Sequence, residues 1–203
     1  EAIYLPSTWQ VGEPHTGSLT VRVAPSLAAG MTDGLNYLKS YPYQCVEQTV
    51  SRFLPNVVTT QALRAAGISN PELEANLEQQ VNAALQSLYN WQNADGGWGW
   101  WSNQKSDPLT SAYVVFGLVE AKDAGYAVNQ ANIDKGLSYL QRNIRQITRL
   151  EQPYLVNRQA FLLYVLARAG EPDVSSSVQL YDQRQRMGVY ALAFLTQTLQ
   201  WID

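Results

Sequence analysis

The sequence contains only one cysteine, Cys45, and only one histidine, His15, among its 203 residues. A single cysteine excludes a disulfide within the chain; it is compatible with the cytosol, or with a secreted protein whose thiol has a chemical role. A Cys–His nucleophile pair would have to use His15. A zinc site would need both residues together with carboxylates, and their spacing is not that of zinc ligands. We therefore expect neither a metal site nor a cofactor.

Charge is also scarce, because charged residues make up 15% of the chain and the formal net charge is −3. No Lys/Arg cluster is present to follow a phosphate backbone, so no nucleic-acid partner is expected. The longest apolar run, 160–167, is too short to cross a bilayer, and no direct membrane contact is expected. No signal peptide is recognised, and the chain is interpreted as a fragment. The 46% of hydrophobic residues predict a globular domain with a sizeable core.

The hydrophobic pattern changes at Pro25. Residues 1–24 contain short extended segments and are interpreted as a linker or as a β segment of a neighbouring domain. From Pro25 onward apolar residues recur at helical spacing, which predicts an all-α domain over 25–203. Pro55 is expected to kink or break the second helix. The predicted helices cover about 25–38, 45–66, 71–88, 109–124, 130–146, 154–169 and 178–201.

The helical part of the chain also repeats. Similar segments occur at 34–38, 84–88 and 136–140, a period of about 50 residues that is typical of helical arrays. The helix after each segment ends in Ala-Gly, at 66–67, 124–125 and 169–170. A glycine just beyond a helix end is a C-cap signal. The repeating unit is therefore predicted to be a helical hairpin.

The most informative segment is 41–55, which contains Cys45 three residues before Gln48. Residues at i and i+3 lie on one face of a helix. A thiolate at this spacing can attack the side-chain amide of Gln48 and expel ammonia, which leaves an internal thioester. The spacing alone is weak evidence, because a free cysteine is more often a small buried apolar residue.

The longer segment resembles the Cys-x-Glu-Gln thioester motif of the alpha-2-macroglobulin and complement family. The flanking Tyr-Pro-Tyr at 41–43 and Thr-x-Ser-Arg-Phe at 49–53 are most similar to the bacterial alpha-2-macroglobulins. The resemblance implies an α/α toroid, a ring of helical hairpins. The sequence shows complete hairpins up to Gly170 and an incomplete one after it, so we expect an unclosed ring and interpret Asp203 as a C-terminal truncation.

The same resemblance implies a protease inhibitor that acylates lysine amines of trapped proteases. Because Cys45 and Gln48 are consumed, the reaction is stoichiometric and the module is not an enzyme. Tyr41 and Tyr43 are expected to form apolar walls of the site, and Glu47 to orient or polarise it. The family further implies neighbouring domains, a periplasmic location within a membrane-anchored lipoprotein, and a role in bacterial defence.

A second motif, Gln92 to Trp98, contains the turn Asp95-Gly96-Gly97. It resembles motifs of α/α-toroid terpene cyclases and prenyltransferases, and a similar Asp-Gly turn precedes a helix in thioester domains. The turn is predicted to need a positive φ, and the tryptophans are predicted to pack on neighbouring helix ends. An enzyme on this toroid remains an alternative. A glycosidase would use a carboxylate pair drawn from Glu47, Asp95 and Asp107. A helical interaction module with an inactive motif is also open.

The segment 100–108 contains no histidine. In complement relatives that prefer hydroxyl targets, a histidine in the matching stretch attacks the thioester first. Its absence here predicts direct attack by amines, because amines are stronger nucleophiles than alcohols or water.

Overall fold

A computed structural model describes residues 45–69 and 71–202 of the chain. The described part is built from α-helices and short 3₁₀ helices and contains no β-strand. None of its helices is both long and apolar enough to cross a lipid bilayer. Several predictions lie outside the described residues: the extended segments of 1–24, the helix at 25–38, and the roles considered for His15, Tyr41 and Tyr43.

The α-helices begin and end close to their predicted positions. In chain order they are α1 Val46–Ala65, α2 Pro71–Asn90, α3 Pro108–Asp123, α4 Gln130–Asn143, α5 Pro153–Arg168, α6 Val174–Tyr181 and α7 Val189–Ile202. Two 3₁₀ helices, Ile147–Arg149 and Arg184–Arg186, lie in the connections before α5 and α7. The helices predicted between 45 and 169 are therefore confirmed.

The described helices pack in two layers. In one layer α1 packs on α3, α3 on α5, and α5 on α7. In the other, α2 packs mainly on α1, α4 mainly on α3, and α6 on α5 and α7. Because α3 and α5 have neighbours on several sides, they are apolar around most of their circumference. The layers place the N-terminal end of α1 beside α3 and the loop that leads into α3.

The hairpin repeat is visible in how the helices end. Gly67, Gly125 and Gly170 have φ values of +65°, +87° and +83°, so the predicted glycine caps are confirmed. After α1 the amide of Ile68 donates to the carbonyl of Leu63 at 3.0 Å, the bond that closes a Schellman motif. The same bond occurs after α3 and after α5. The same Schellman motif therefore ends α1, α3 and α5, as expected for a repeating unit.

Two sequence predictions are wrong in detail. Of the predicted kink or break at Pro55, the break is wrong, because helix α1 continues through this residue. The single helix predicted over 178–201 is two helices, α6 and α7. The first begins earlier than predicted, because Asp173 caps it by accepting from the amide of Ser176 at 2.9 Å. The chain then turns before α7, and the amide of Gly188 donates to Asn157 Oδ1 of α5 at 2.9 Å. This contact fixes the connection between α6 and α7 against α5.

Candidate functional site

Cys45 is the N-cap residue of α1. Its φ and ψ of −79° and 164° are extended, and its Sγ accepts a hydrogen bond from the backbone amide of Gln48 at 3.4 Å. Serine, threonine, aspartate and asparagine are the usual residues at this position, so a cysteine there is unusual. The side chain is buried, with 6% of the residue exposed. The structure thus places the thiol at the start of the helix, over the first turn that carries Gln48.

Gln48 has a buried side-chain carbonyl. Its Oε1 has no hydrogen-bond partner among the described residues. Buried acceptors are nearly always paired, because leaving one unpaired costs about 1–3 kcal/mol. An unpaired carbonyl that starts in the same helical turn as a buried thiol is the arrangement expected where a carbonyl is to react rather than to hold the fold.

A hydrogen-bonded chain leads from the first turn of α1 to α3. Ser51 Oγ donates to Glu47 Oε1 at 2.7 Å and lies 3.2 Å from the hydroxyl of Tyr113. Since Ser51 has one proton and gives it to Glu47, Tyr113 is the donor to Ser51. Glu47 therefore has a fixed partner within the described residues. Its predicted role in orienting or polarising the thioester remains a prediction.

The loop before α3 contacts the first turn of α1. The backbone amide of Val46 donates to the carbonyl of Trp100 at 3.0 Å, which satisfies one of the free amides at the helix start. This is the stretch in which the sequence lacks a histidine. The contact therefore brings the 100–108 segment next to Cys45, where a relay residue would have to stand.

The Asp-Gly-Gly turn fixes the start of that loop. Gly96 has a φ of +87°, which confirms the predicted positive φ. Asp95 Oδ1 accepts from the amide of Gly97 at 3.0 Å and from Ser106 Oγ at 2.7 Å. Gln92 donates to the carbonyls of Gly96 and Asn132 at 2.9 and 3.0 Å, which ties the turn to α4.

Trp98 anchors the loop in the core. Its ring is fully buried, and its indole N–H donates to the carbonyl of Leu88 near the end of α2 at 2.7 Å. Its backbone amide donates to Ser111 Oγ of α3 at 2.8 Å. The prediction that the tryptophans pack on helix ends is correct for Trp98. Trp100 and Trp101 are each 49% exposed, so they do not belong to the core.

We expect Gly96→Ala to destabilise the domain more than Gly67→Ala. Both glycines have a positive φ, which costs a side chain about 1–2 kcal/mol. A methyl group at Gly67 would meet open space, whereas at Gly96 it would overlap the backbone carbonyl of Lys135. Adding overpacking to the strain gives about 2–5 kcal/mol for Gly96→Ala. Urea denaturation of both variants measures the difference, and equal losses would contradict the assigned turn.

The carboxylates considered for a glycosidase each have a local structural partner. Asp107 caps α3 by accepting from the amide of Thr110 at 2.8 Å, while Asp95 and Glu47 are held as described above. No group of three His, Cys, Asp or Glu side chains suited to a metal ion occurs in 45–69 and 71–202.

Tyr139 is a tyrosine whose pKa is raised, first by burial and then by the charges of Asp95 and Asp107. It is therefore a neutral phenol at physiological pH.

An open, mostly aromatic cavity of about 450 Å³ lies beside this site. Tyr113, whose hydroxyl reaches Ser51, forms part of its wall. The lining residues come from α3, α5 and α7 and are Leu109, Tyr113, Phe116, Tyr154, Asn157, Arg158, Phe161, Tyr190 and Phe194. Sequence reasoning missed both the cavity and Tyr113. The aromatic side chains at helical spacing were the available signal, but their convergence depends on packing between hairpins.

The fold and the candidate site together define the class of domain to which this chain belongs. An array of helical hairpins that holds a buried Cys and a Gln in a Cys-x-Glu-Gln segment at the start of one helix is the architecture of a thioester-type domain. A profile of the A-macroglobulin TED domain matches residues 19–146. The chain therefore belongs to the thioester-containing domain family of the alpha-2-macroglobulins.

Known proteins agree with this assignment. Alpha-2-macroglobulin of Thermotoga maritima is 40% identical over 126 residues, which are 62% of this chain and 8% of that protein. The crystal structure of native Escherichia coli alpha-2-macroglobulin, from domain MG7 to the C-terminus, is 27% identical, with a TM-score of 0.71 over 85% of this chain and 28% of that one. The trypsin-activated E. coli protein gives a TM-score of 0.66 at 27% identity, over 80% of this chain and 12% of that one.

These similarities confirm the predicted fold class, an α/α toroid of helical hairpins. The chain spans only about a tenth of the length of a full relative, 8% for the Thermotoga protein. What a whole relative does is therefore not transferred by the similarity itself.

Proposed function

We propose that Cys45 and Gln48 form an internal thioester that acylates proteases. The observation that carries the proposal is the buried Cys45 sulfur at the N-cap of α1, which accepts from the backbone amide of Gln48 at 3.4 Å, together with the buried, unpaired side-chain carbonyl oxygen of Gln48 in the same helical turn. Both reacting side chains start within one helical turn. The helix holds them there without any further element of structure.

The thioester bond can form from Cys45 and Gln48 alone, without a co-reactant. The Cys45 sulfur attacks Cδ of Gln48, a C–S bond forms, and the C–N bond of the amide breaks. The thiol proton leaves with the nitrogen as ammonia. The positive end of the helix dipole at the N-terminus of α1 favours negative charge on the sulfur as it attacks and, later, as it leaves.

When the acyl group is transferred to a target, the Cys45 sulfur is the leaving group rather than the nucleophile. An amine attacks Cδ of Gln48, a C–N bond forms, and the C–S bond breaks with its electron pair on Cys45. A proton passes from the amine to the thiolate or to solvent. The product is an isopeptide bond, and each domain reacts once, so the module is a stoichiometric trap and not an enzyme.

The target of the proposed reaction is a lysine amine of a trapped protease. The E. coli relative has been captured in a trypsin-activated state, which supports this class of partner. Water is the competing nucleophile, so the site must stay dry until activation. Tyr41 and Tyr43 are proposed as part of the apolar cover, together with neighbouring domains of the native polypeptide. A periplasmic location within an anchored lipoprotein belongs to the same proposal.

We expect the thioester to prefer amines over hydroxyl groups. The loop that contacts the first turn of α1 through Trp100 carries no histidine between 100 and 108, so no acyl-imidazole relay is available from it. The test is competition between methylamine and glycerol in the native polypeptide, followed by mass spectrometry of the Gln48 peptide. The methylamide should predominate.

A matched variant sharpens this test. Ser102→His places an imidazole in the same loop two residues after Trp100, and glycerol ester should increase relative to the unmodified protein. A predominant glycerol ester in the unmodified protein would mean that another group supplies the relay. In that case the interpretation of the missing histidine would be wrong.

A further inference from the structure

Arg52 is a partly buried cation with no assigned role. Its Nε and Nη2 are buried and have no hydrogen-bond partner among the described residues. Its sequence neighbour of opposite charge, Glu47, is instead bonded to Ser51 at 2.7 Å. An unpaired buried guanidinium is costly, because removing a charge from water is repaid only by a partner. A fold would keep such a group where an anion forms during a reaction.

The position of Arg52 along α1 relates it to the side-chain oxygen of Gln48. Arg52 follows Gln48 by four residues, so the two side chains lie on one face of α1, one turn apart. Helical side chains lean toward the N-terminus, so the Arg52 side chain is expected to extend along α1 toward the turn that carries Gln48. This face is not the apolar stripe of Val46, Val50, Phe53 and Val57 that packs into the core. Gln48 Oε1 is an acceptor and Arg52 Nε and Nη2 are donors, and all three atoms are buried without a partner among the described residues.

We propose that Arg52 is the oxyanion donor of the thioester reaction. Resting on the proposed function above, this inference names the group that receives the charge. When an amine attacks Cδ of Gln48, the carbonyl electron pair moves onto the oxygen, and the C–S bond breaks only as that pair returns. The guanidinium donates to this oxygen while it carries the charge. The same oxygen carries the charge when Cys45 first attacks the amide.

Donors of this kind act strongly in a dry site. Losing one oxyanion donor typically slows a reaction by about 100- to 1000-fold. The guanidinium suits this role because it is always protonated and offers several donors in a fixed plane. Thr59 Oγ1 is the one further buried polar atom without a partner among the described residues, but it is nearly two turns beyond Arg52 and too far from Gln48 to share the task.

The test compares Arg52→Met with Arg52→Lys in the native polypeptide. Two quantities are measured: the fraction of protein that has lost ammonia, and the rate at which methylamine releases the Cys45 thiol. Arg52→Met should react on the order of 100-fold more slowly than the unmodified protein. Arg52→Lys should fall between them, because an ammonium donates but lacks the planar fork. The control, Lys105→Gln, removes a charge from an exposed position in the nearby loop and should leave the rate unchanged.

The melting temperature of Arg52→Met distinguishes an oxyanion donor from a residue that holds the fold. Replacing an unpaired buried charge by an apolar side chain is neutral or stabilising, so Arg52→Met should melt at the same or a higher temperature. A large loss of stability, failure to fold, or a rate equal to the unmodified protein in Arg52→Met would each overturn the proposal. If the unmodified protein itself never loses ammonia, the thioester proposal fails instead, and the two failures are distinguishable.

Discussion

Replacing Cys45 with alanine is expected to abolish covalent capture of proteases and to leave the fold intact. The change removes the sulfur that forms one half of the bond, and Gln48→Ala removes the other half. Cys45 is a small side chain at a helix start, so the expected loss of stability is about 0.5–3 kcal/mol, the common range for single substitutions. Incubation with trypsin followed by denaturing electrophoresis measures the covalent adduct.

Two further variants serve as controls for that experiment. Gln48→Glu has the side chain that hydrolysis would leave, so it should fold like the unmodified protein and capture nothing. Ser51→Ala breaks the bond from Ser51 to Glu47 without touching the reacting atoms, and it should still capture protease. Adducts that persist in Cys45→Ala would show that the cross-link arises elsewhere in the chain.

The largest effect on stability is expected at Trp98. Trp98→Ala removes a fully buried ring together with the indole donor to the Leu88 carbonyl. Truncating a buried tryptophan costs about 3–5 kcal/mol through lost burial and the cavity left behind. Because this ring holds the loop that reaches Val46, the variant should also hydrolyse its thioester faster. Urea denaturation gives the first quantity, and thiol titration over time gives the second.

Trp101→Ala is the matched control for Trp98→Ala. The Trp101 side chain lies in the same loop but is 49% exposed, so its removal should change the free energy of unfolding by no more than about 0.5 kcal/mol. Similar losses for both variants would mean that the loop is held by something other than the indole of Trp98.

The sequence predicted features that depend on neighbours along the chain. Cys45 and Gln48 are three residues apart, and helix geometry alone brings them to one turn. The ends of α1, α3 and α5 follow from their Ala-Gly pairs, because the cap is a local conformation of the glycine. These local signals were sufficient to predict the hairpin array and the placement of Cys45 and Gln48 in one helical turn.

Features that depend on contacts between hairpins were not predictable. The break before α7 rests on the contact of Gly188 with Asn157, 31 residues earlier. Tyr113 reaches Ser51 across 62 residues, and no spacing rule connects them. Trp100 and Trp98 are both tryptophans of one motif, yet one is exposed and the other buried, which is decided by the packing of α2, α3 and α4.

The most direct test of the central claim is the intact mass of the native polypeptide before and after methylamine. The thioester predicts an initial mass lower than the sequence by one ammonia. Methylamine should then add its whole mass, at Gln48, and release one free thiol at Cys45. A native mass equal to that of the sequence, with Cys45 already titratable and no methylamine uptake, would contradict a working thioester in this domain.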